Sequence, residues 1–294
     1  MTARSFTALV NPISGERAAR AMWEPVAELL AAAGATVTTE TTASSADAVE
    51  RATAAADRGD VVVAVGGDGL VRDAAGGAVR GGGTLAVVPA GRGNDLARLL
   101  GVPTAAPELA RMLLEGPADP IDVLDVNGVI VPGNAYFGVE SAANRVINRL
   151  RFLPALLVYR ISAPIALLTW RNPTVALDAD GTRRTVRATS VVIANSGSYG
   201  HGLRIVPPAR LDDGRLDVMV VEEGIPKREI VAFTNEAREG RHIERPQVRL
   251  STATTLTVSA DRPIPLCADG DEIGTLPATV RVLPGALPLI TPRR

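Results

Sequence analysis

Residues 61–75 read VVVAVGGDGLVRDAA. A short apolar run enters a glycine-flanked aspartate, Asp68, and a helix-like segment follows. A run apolar at every position reads as a strand buried on both faces, which is the signature of a parallel sheet. The same rhythm extends upstream. Phe6–Val10 reads as a strand, and the turn NPISG (11–15) leads into the helical run ERAARAMWEPVAELLAAAG, which stops at Gly34. Ala35–Thr39 reads as a second strand, and SSADAVERATAAADRG offers a serine cap, small apolar helix formers and a glycine stop. Downstream come a helix from about Val71 to Val79, the strand TLAVVP and the helix NDLARLL. This alternation predicts an α/β domain over residues 1–120.

After Pro120 the pattern changes. IDVLDVNGVIVPGNAYFG reads as strands joined by Asn-Gly and Pro-Gly turns, followed by a long helical stretch over about 141–170. TVALDADGTRRTVRATSVVIANSG reads as a hairpin with Asp180-Gly181 at its tip. LDVMVVEEG, QVRLSTATTLTVSA and TVRVLP add strands, so residues 121–285 are expected to form a mostly antiparallel β domain. Ligands of open α/β sheets bind beyond the carboxyl ends of the strands, which points to a cleft between the two domains.

Composition narrows the chemistry. The chain has 294 residues, enough for two domains, and its aromatic content of 3% requires cores of Val, Leu, Ile and Ala. A net charge of −1 argues against a nucleic-acid binder held by a basic face. Cys267 is the single cysteine, which excludes an internal disulfide, and the two histidines have no metal-ligand spacing. The N-terminus lacks a signal-peptide pattern, and Arg160, Pro154 and Pro164 interrupt the apolar stretch 152–170, so a cytoplasmic protein is expected. That stretch reads either as a core helix or as a contact with a bilayer surface.

Three loops leave the carboxyl ends of expected strands: NPISG (11–15), GGDGL (66–70) and PAGRGND (89–95). Glycine lets backbone amides approach an anion, and a helix N-terminus beyond each loop favours phosphate. Detailed comparison excludes the commoner phosphate motifs. GGDGLVR lacks the third glycine of a dinucleotide fingerprint and has Arg72 in its place. No GxxxxGK[ST] exists, and Lys227, the only lysine, lies far from every loop. Phosphate here must be held by amides, arginine and metal. Asp68 then reads as part of a magnesium–nucleotide site, against the bland alternative of an Asp-Gly turn.

These loops, in this order, resemble the bacterial diacylglycerol kinase and lipid kinase family, relatives of sphingosine kinases. NPISG, GGDGL and PAGRGNDLAR are similar to three of its motifs, and IVPPARLDDGRLDV and LCADGDEIGTLPATVRVLPGAL to two later ones. The resemblance implies an N-terminal domain of the NAD-kinase and phosphofructokinase type, to which residues 286–294 return. It also implies a C-terminal β-sandwich-like domain and transfer of the γ-phosphoryl group of ATP to a lipid hydroxyl with Mg2+. Dimers occur in the family.

By the same resemblance Asp269 is the catalytic base, and Asp271 stands where the family has glutamate. Matched nucleotide positions are Asn11, Ser14, Gly15, Thr41, Gly66, Gly67, Asp68, Gly69 and Arg92, with neighbouring threonines around Thr41 as alternatives. Leu70 and Arg92 replace family threonines, and Arg92 either adds a charged phosphate contact or points to solvent. A structural metal is implied at Asp213, through its side chain, with the main chain of Arg210 and Arg215; the alternative is a metal-free turn. Asn94 and Asp95 read as caps of the helix that follows. Two other functions stay open: a kinase of a soluble metabolite, NAD included, and a nucleotide-binding regulator without catalysis.

Overall fold

The structure, a computed structural model, describes residues 4–11, 16–149, 165–166, 169–200 and 202–293. Four parallel strands build the first lobe: β1 (Ser5–Val10), β2 (Thr36–Thr41), β3 (Val61–Gly66) and β4 (Leu85–Pro89), in the order β4-β3-β1-β2. Every residue of β3 is buried, because helices cover both faces. On one face α1 (Glu16–Ala32) packs Trp23, Val26 and Leu30 with Phe6 and Val63. On the other, α2 (Ser45–Asp57) and α3 (Asp68–Arg80) pack alanines onto Val62 and Ala64. The α3 helix begins at Asp68, ahead of the expected Val71, because extended Gly67 ends the strand turn and an aspartate suits the positive helix end. Beyond α4 (Asp95–Leu99) lies α5 (Ala106–Glu115), started by a proline in its first turn; the sequence reading passed over it.

The second lobe is a two-layer antiparallel sandwich. One layer holds β5 (Ala118–Val126), β6 (Val129–Val131), β8 (Thr174–Ala179), β12 (Thr255–Ala260) and β15 (Ala278–Ile290). The other holds β7 (Asn134–Gly138), β10 (Leu216–Glu222), β11 (Val248–Ala253), β13 (Pro265–Ala268) and β14 (Asp271–Thr275). Strand β9 (Thr182–Ala194) serves both: its first half pairs with β8, its second with β7 and β10. Leu124, Phe137, Ile193, Val218, Val258 and Val280 fill the space between. The β8–β9 turn is Asp180-Gly181, both with positive φ (49° and 86°), as a two-residue hairpin requires.

An α/β lobe joined to a β-sandwich-like lobe is thus the fold class. The lobes share strands: β15 leaves the sandwich and ends parallel to β4, with Leu289 opposite Leu85. The expected boundary at residue 120 falls inside continuous β5, which pairs with β15 along most of its length. The second lobe also carries the helices α6 (Val139–Arg149) and α7 (Ile230–Glu239) among the described residues. Most of the expected 141–170 helix lies outside the described residues, among which no helix is long and apolar enough to cross a membrane.

The α2–α3 contact is close enough to test. A Cβ added at Gly77 would sit 2.5 Å from the Val49 carbonyl oxygen and 2.8 Å from the Thr53 nitrogen. Helix propensity alone favours alanine by about 1 kcal/mol. Overpacking against backbone outweighs it, so Gly77→Ala is expected to lower stability by about 1–3 kcal/mol in urea denaturation. A midpoint at or above that of the parent would contradict this packing.

Candidate active site

The loops after β3 and β4 meet backbone to backbone. Gly67 packs on Gly91, whose added Cβ would stand 2.8 Å from the Gly67 nitrogen. Asp68 ties the two loops: its Oδ2 accepts the Asn94 amide at 2.8 Å and its Oδ1 the Asp95 amide at 2.7 Å. Burial pushes the Asp68 carboxyl up, and the Asp95 carboxylate adds to the effect. Asn94 is left-handed at φ 56°, and its carboxamide exchanges two 2.9 Å bonds with the Gly91 backbone. Asn94 stands at the N-cap of α4 as expected, but its side chain folds its own loop and does not bond a helix amide. Asp95 reaches across to the second lobe, where its Oδ2 accepts the Gly200 amide at 2.7 Å.

Asp269 arrives from that lobe at the tip of the β13–β14 hairpin, left-handed at φ 46°. Its Oδ1 accepts the Asn134 amide at 3.1 Å, while Oδ2 is buried with no hydrogen-bond partner. Burial pushes this carboxyl up to about 7; the Asn134 amide opposes the rise, Asp68 adds to it, and Arg72 opposes it. Asp68, Asp95 and Asp269 line one small cavity of about 10 Å³ together with Ser196, Ser198 and Tyr199. Asn134 holds that wall, because its side chain accepts the Asn195 and Ser196 amides at 3.1 and 3.0 Å and donates to the Ser198 carbonyl at 3.3 Å. Tyr199 stacks on Tyr136 at 5.2 Å between ring centroids.

A second cleft, of about 180 Å³, opens on the other side of the α3 N-terminus. Asn11, Thr42, Ser44, Gly69, Arg72 and Asp271 line it. The structure puts Thr42 here rather than Thr41, whose hydroxyl accepts from Arg20 outside the cleft. Neighbours on a strand face opposite ways, which sequence alone left open. Gly66 and Gly67 form the strand end and turn beneath. Leu70 is buried in the lobe core, and Arg92 is exposed. Ser14 and Gly15 lie outside the described residues, as does His201.

The residues Arg210, Asp213 and Arg215 occupy one exposed turn and line neither cleft. Asp213 accepts the Arg215 amide at 3.0 Å, and Arg210 pairs with Asp212 at 3.1 Å. Buried Asp122 closes the turn, accepting the Gly214 amide at 2.6 Å and the Gly285 amide at 2.7 Å. Among the described residues no three acidic, histidine or cysteine side chains are grouped to hold a metal ion. Sequence reasoning missed Asp122, Asn134, Arg72 and the 195–200 strap. The only signal for the strap was the small, polar run NSGSYG after an apolar strand.

Residues 5–126 match the diacylglycerol kinase catalytic domain, and 133–291 the YegS C-terminal NAD kinase beta sandwich-like domain. A diacylglycerol kinase of Mycobacterium tuberculosis (strain CDC 1551 / Oshkosh) is 32% identical over 98% of this chain and 95% of its own length. The chain belongs to the diacylglycerol kinase family. A second member, from Bacillus subtilis (strain 168), is 27% identical over 92% of this chain and 90% of its own. A solved protein from Bacillus anthracis str. Sterne superposes with a TM-score of 0.80 at 24% identity, covering 99% of this chain and 98% of that one. The protein is therefore a lipid kinase of this family, and the two-lobed architecture is the family's fold.

In this kinase the position of Asp269 carries a cost in stability. A free aspartate titrates near 3.8 and the folded one near 7, so folding favours the protonated form. The stabilising contribution is whole below the lower value and is lost as pH rises through the upper one. Asp269→Asn, which cannot ionise, is expected to exceed the parent in stability at pH 8 by at most about 4 kcal/mol, with the gap closing toward pH 4. Urea denaturation at both pH values measures it, and an equal or lower stability at pH 8 would refute the cause given.

Proposed function

We propose that this lipid kinase transfers the γ-phosphoryl group of ATP to a hydroxyl of diacylglycerol, with Asp269 as general base. One observation carries the reading: a buried carboxylate oxygen without a partner lines a cavity between the lobes, and its pKa sits near neutrality. A lipid alcohol is a weak nucleophile. The carboxylate takes its proton as the alcohol oxygen bonds to the γ-phosphorus and the bond to the β–γ bridging oxygen breaks, releasing ADP. A general base acting at neutral pH needs a pKa close to 7, and the Oδ1–Asn134 bond leaves Oδ2 as the accepting atom.

The nucleotide belongs in the cleft of Asn11, Thr42, Gly69 and Asp271, with its phosphates at the N-terminus of α3. Hard carboxylate oxygen suits magnesium, and Asp68, each oxygen of which keeps a lone pair beyond its amide bond, is the residue that would hold it beside the phosphates. Bound there, it would supply positive charge to offset the charge that develops on the phosphoryl oxygens. At the Asp213 turn the carbonyls of Arg210 and Arg215 with one carboxylate also suit a hard cation, although Asp122 already closes the turn. The acceptor side calls for a lipid presented at a membrane surface to a cytoplasmic enzyme, and a homodimer accords with the resemblance.

Radiolabel transfer from γ-labelled ATP to diacylglycerol in mixed micelles with magnesium tests this. Label is expected in phosphatidic acid, with Asp269→Asn reducing the rate about 10²- to 10⁴-fold. Label in NAD or another soluble acceptor, with none in lipid, would move the enzyme to the metabolite-kinase reading. ATP binding without transfer to any acceptor would favour a silent nucleotide binder.

A further inference from the structure

Arg72 has no part in the chemistry above, yet it is the only cation among the described residues lining the nucleotide cleft. It projects from α3 and is 7% exposed, rare for an arginine unless it is fully engaged. Asp73 grips one edge of the guanidinium, accepting from Nε at 3.1 Å and Nη2 at 3.0 Å. The other edge crosses to the second lobe. There Nη1 donates to the Ala268 carbonyl and to Asp271 Oδ2, both at 3.2 Å. These acceptors lie immediately before and two residues after Asp269. They bracket a turn whose first residue is a non-glycine in the left-handed region, a conformation that surrounding contacts must impose.

We propose that Arg72 is a positioning residue for phosphoryl transfer: clamped by Asp73, its guanidinium fixes the Ala268–Asp271 turn and presents the Asp269 carboxylate to the nucleotide lobe beside a positive charge. This rests on the reading of Asp269 as the base. Charge balance around Asp269 gives the proposal a second footing. Asp68 on α3, Asp95 on α4 and Asp271 on β14 are its acidic neighbours, while Tyr136 and Tyr199 stay protonated because burial raises both. Glu272 is neutralised by Arg145 at 2.7 Å. Arg72 is the cation that opposes this acidic surround. Burial works against its charge, and Asp73 and Asp271 outweigh that loss. The same residue stands where a dinucleotide fingerprint would have its third glycine, so a side chain fills a place that other phosphate loops leave bare.

The test uses Arg72→Met, Arg72→Lys and Asp269→Asn in the full chain. Carbon-13 NMR follows the Asp269 carboxyl through pH, its signal assigned by its absence from Asp269→Asn. Transfer to diacylglycerol micelles and nucleotide affinity are measured on the same proteins. Arg72→Met is expected to raise the Asp269 midpoint by about one pH unit, which leaves roughly fivefold less carboxylate at pH 7, and to lower kcat at least in proportion. The acid limb of kcat should move with the midpoint. Arg72→Lys keeps the charge and loses the fork. Its midpoint and acid limb should stay in place while kcat falls, and this variant decides the matter if Arg72→Met does not fold. An unmoved midpoint in Arg72→Met, or full kcat in Arg72→Lys, overturns the proposal. Activity surviving in Asp269→Asn would instead refute the base, whereas the NMR titration reports on the Arg72–Asp269 coupling whichever acceptor the enzyme uses.

Discussion

The two amide bonds to Asp68 are the interaction on which the site depends. Each connects the loop after β3 to the loop after β4, and each is charge-assisted in a partly desolvated place, where such bonds are strongest. With them intact, Asn94 can take its left-handed conformation and direct the α4 helix so that Asp95 meets Gly200 of the other lobe. The aspartate between glycines therefore has an architectural duty before any chemical one. Gly67 lets the two loops touch, Asp68 fastens them, and Gly69 leaves room for Asp271, whose Oδ2 would be 2.6 Å from a Cβ at that position.

The same device recurs around the cavity. Carboxylates pack where a neighbouring residue has no side chain: Asp271 over Gly69, Asp68 over Gly93 and Asp269 over Gly133. Acidic groups thus come close to backbone amides and to one another, at an electrostatic cost visible in the raised pKa of Asp68 and Asp269. Backbone donors and one buried guanidinium oppose that cost. With a single lysine in the chain, the charged groups gathered at these two clefts are arginine and acid, set among backbone amides.

What was legible in the sequence followed from periodicity and punctuation. Strand β3 was visible because every residue of it is apolar, and the β8–β9 hairpin because Asp-Gly demands its turn. Helix α5 was missed because APELARMLLE sits between two loops rich in proline and glycine, with no polar N-cap residue to announce it. QVRLSTATTLTVSA looked like a single element, yet the chain turns at Thr254 and sends β11 and β12 to different layers of the sandwich. Asp68 and Asp269 could be singled out by their loops. Asn134, Asp122 and Arg72 could not, since each acts through a partner 60 or more positions away in sequence. No local pattern encodes such a contact.

Long-range polar contacts of this kind also explain why the lobes are built from shared strands. Phosphoryl transfer is mostly positioning and electrostatics, and a base displaced by an ångström loses much of its effect. Asp269 hangs from the sandwich, while Asp68 and the loops after β3 and β4 hang from the parallel sheet. With β15 running from one lobe into the other, and Arg72 and Asp95 bridging the surface, the two halves cannot drift independently. The cavity between them, about 10 Å³, admits little more than a water molecule. The 195–200 strap that lines this cavity is held by hydrogen bonds to Asn134 and Asp95 and by the stacking of Tyr199 on Tyr136.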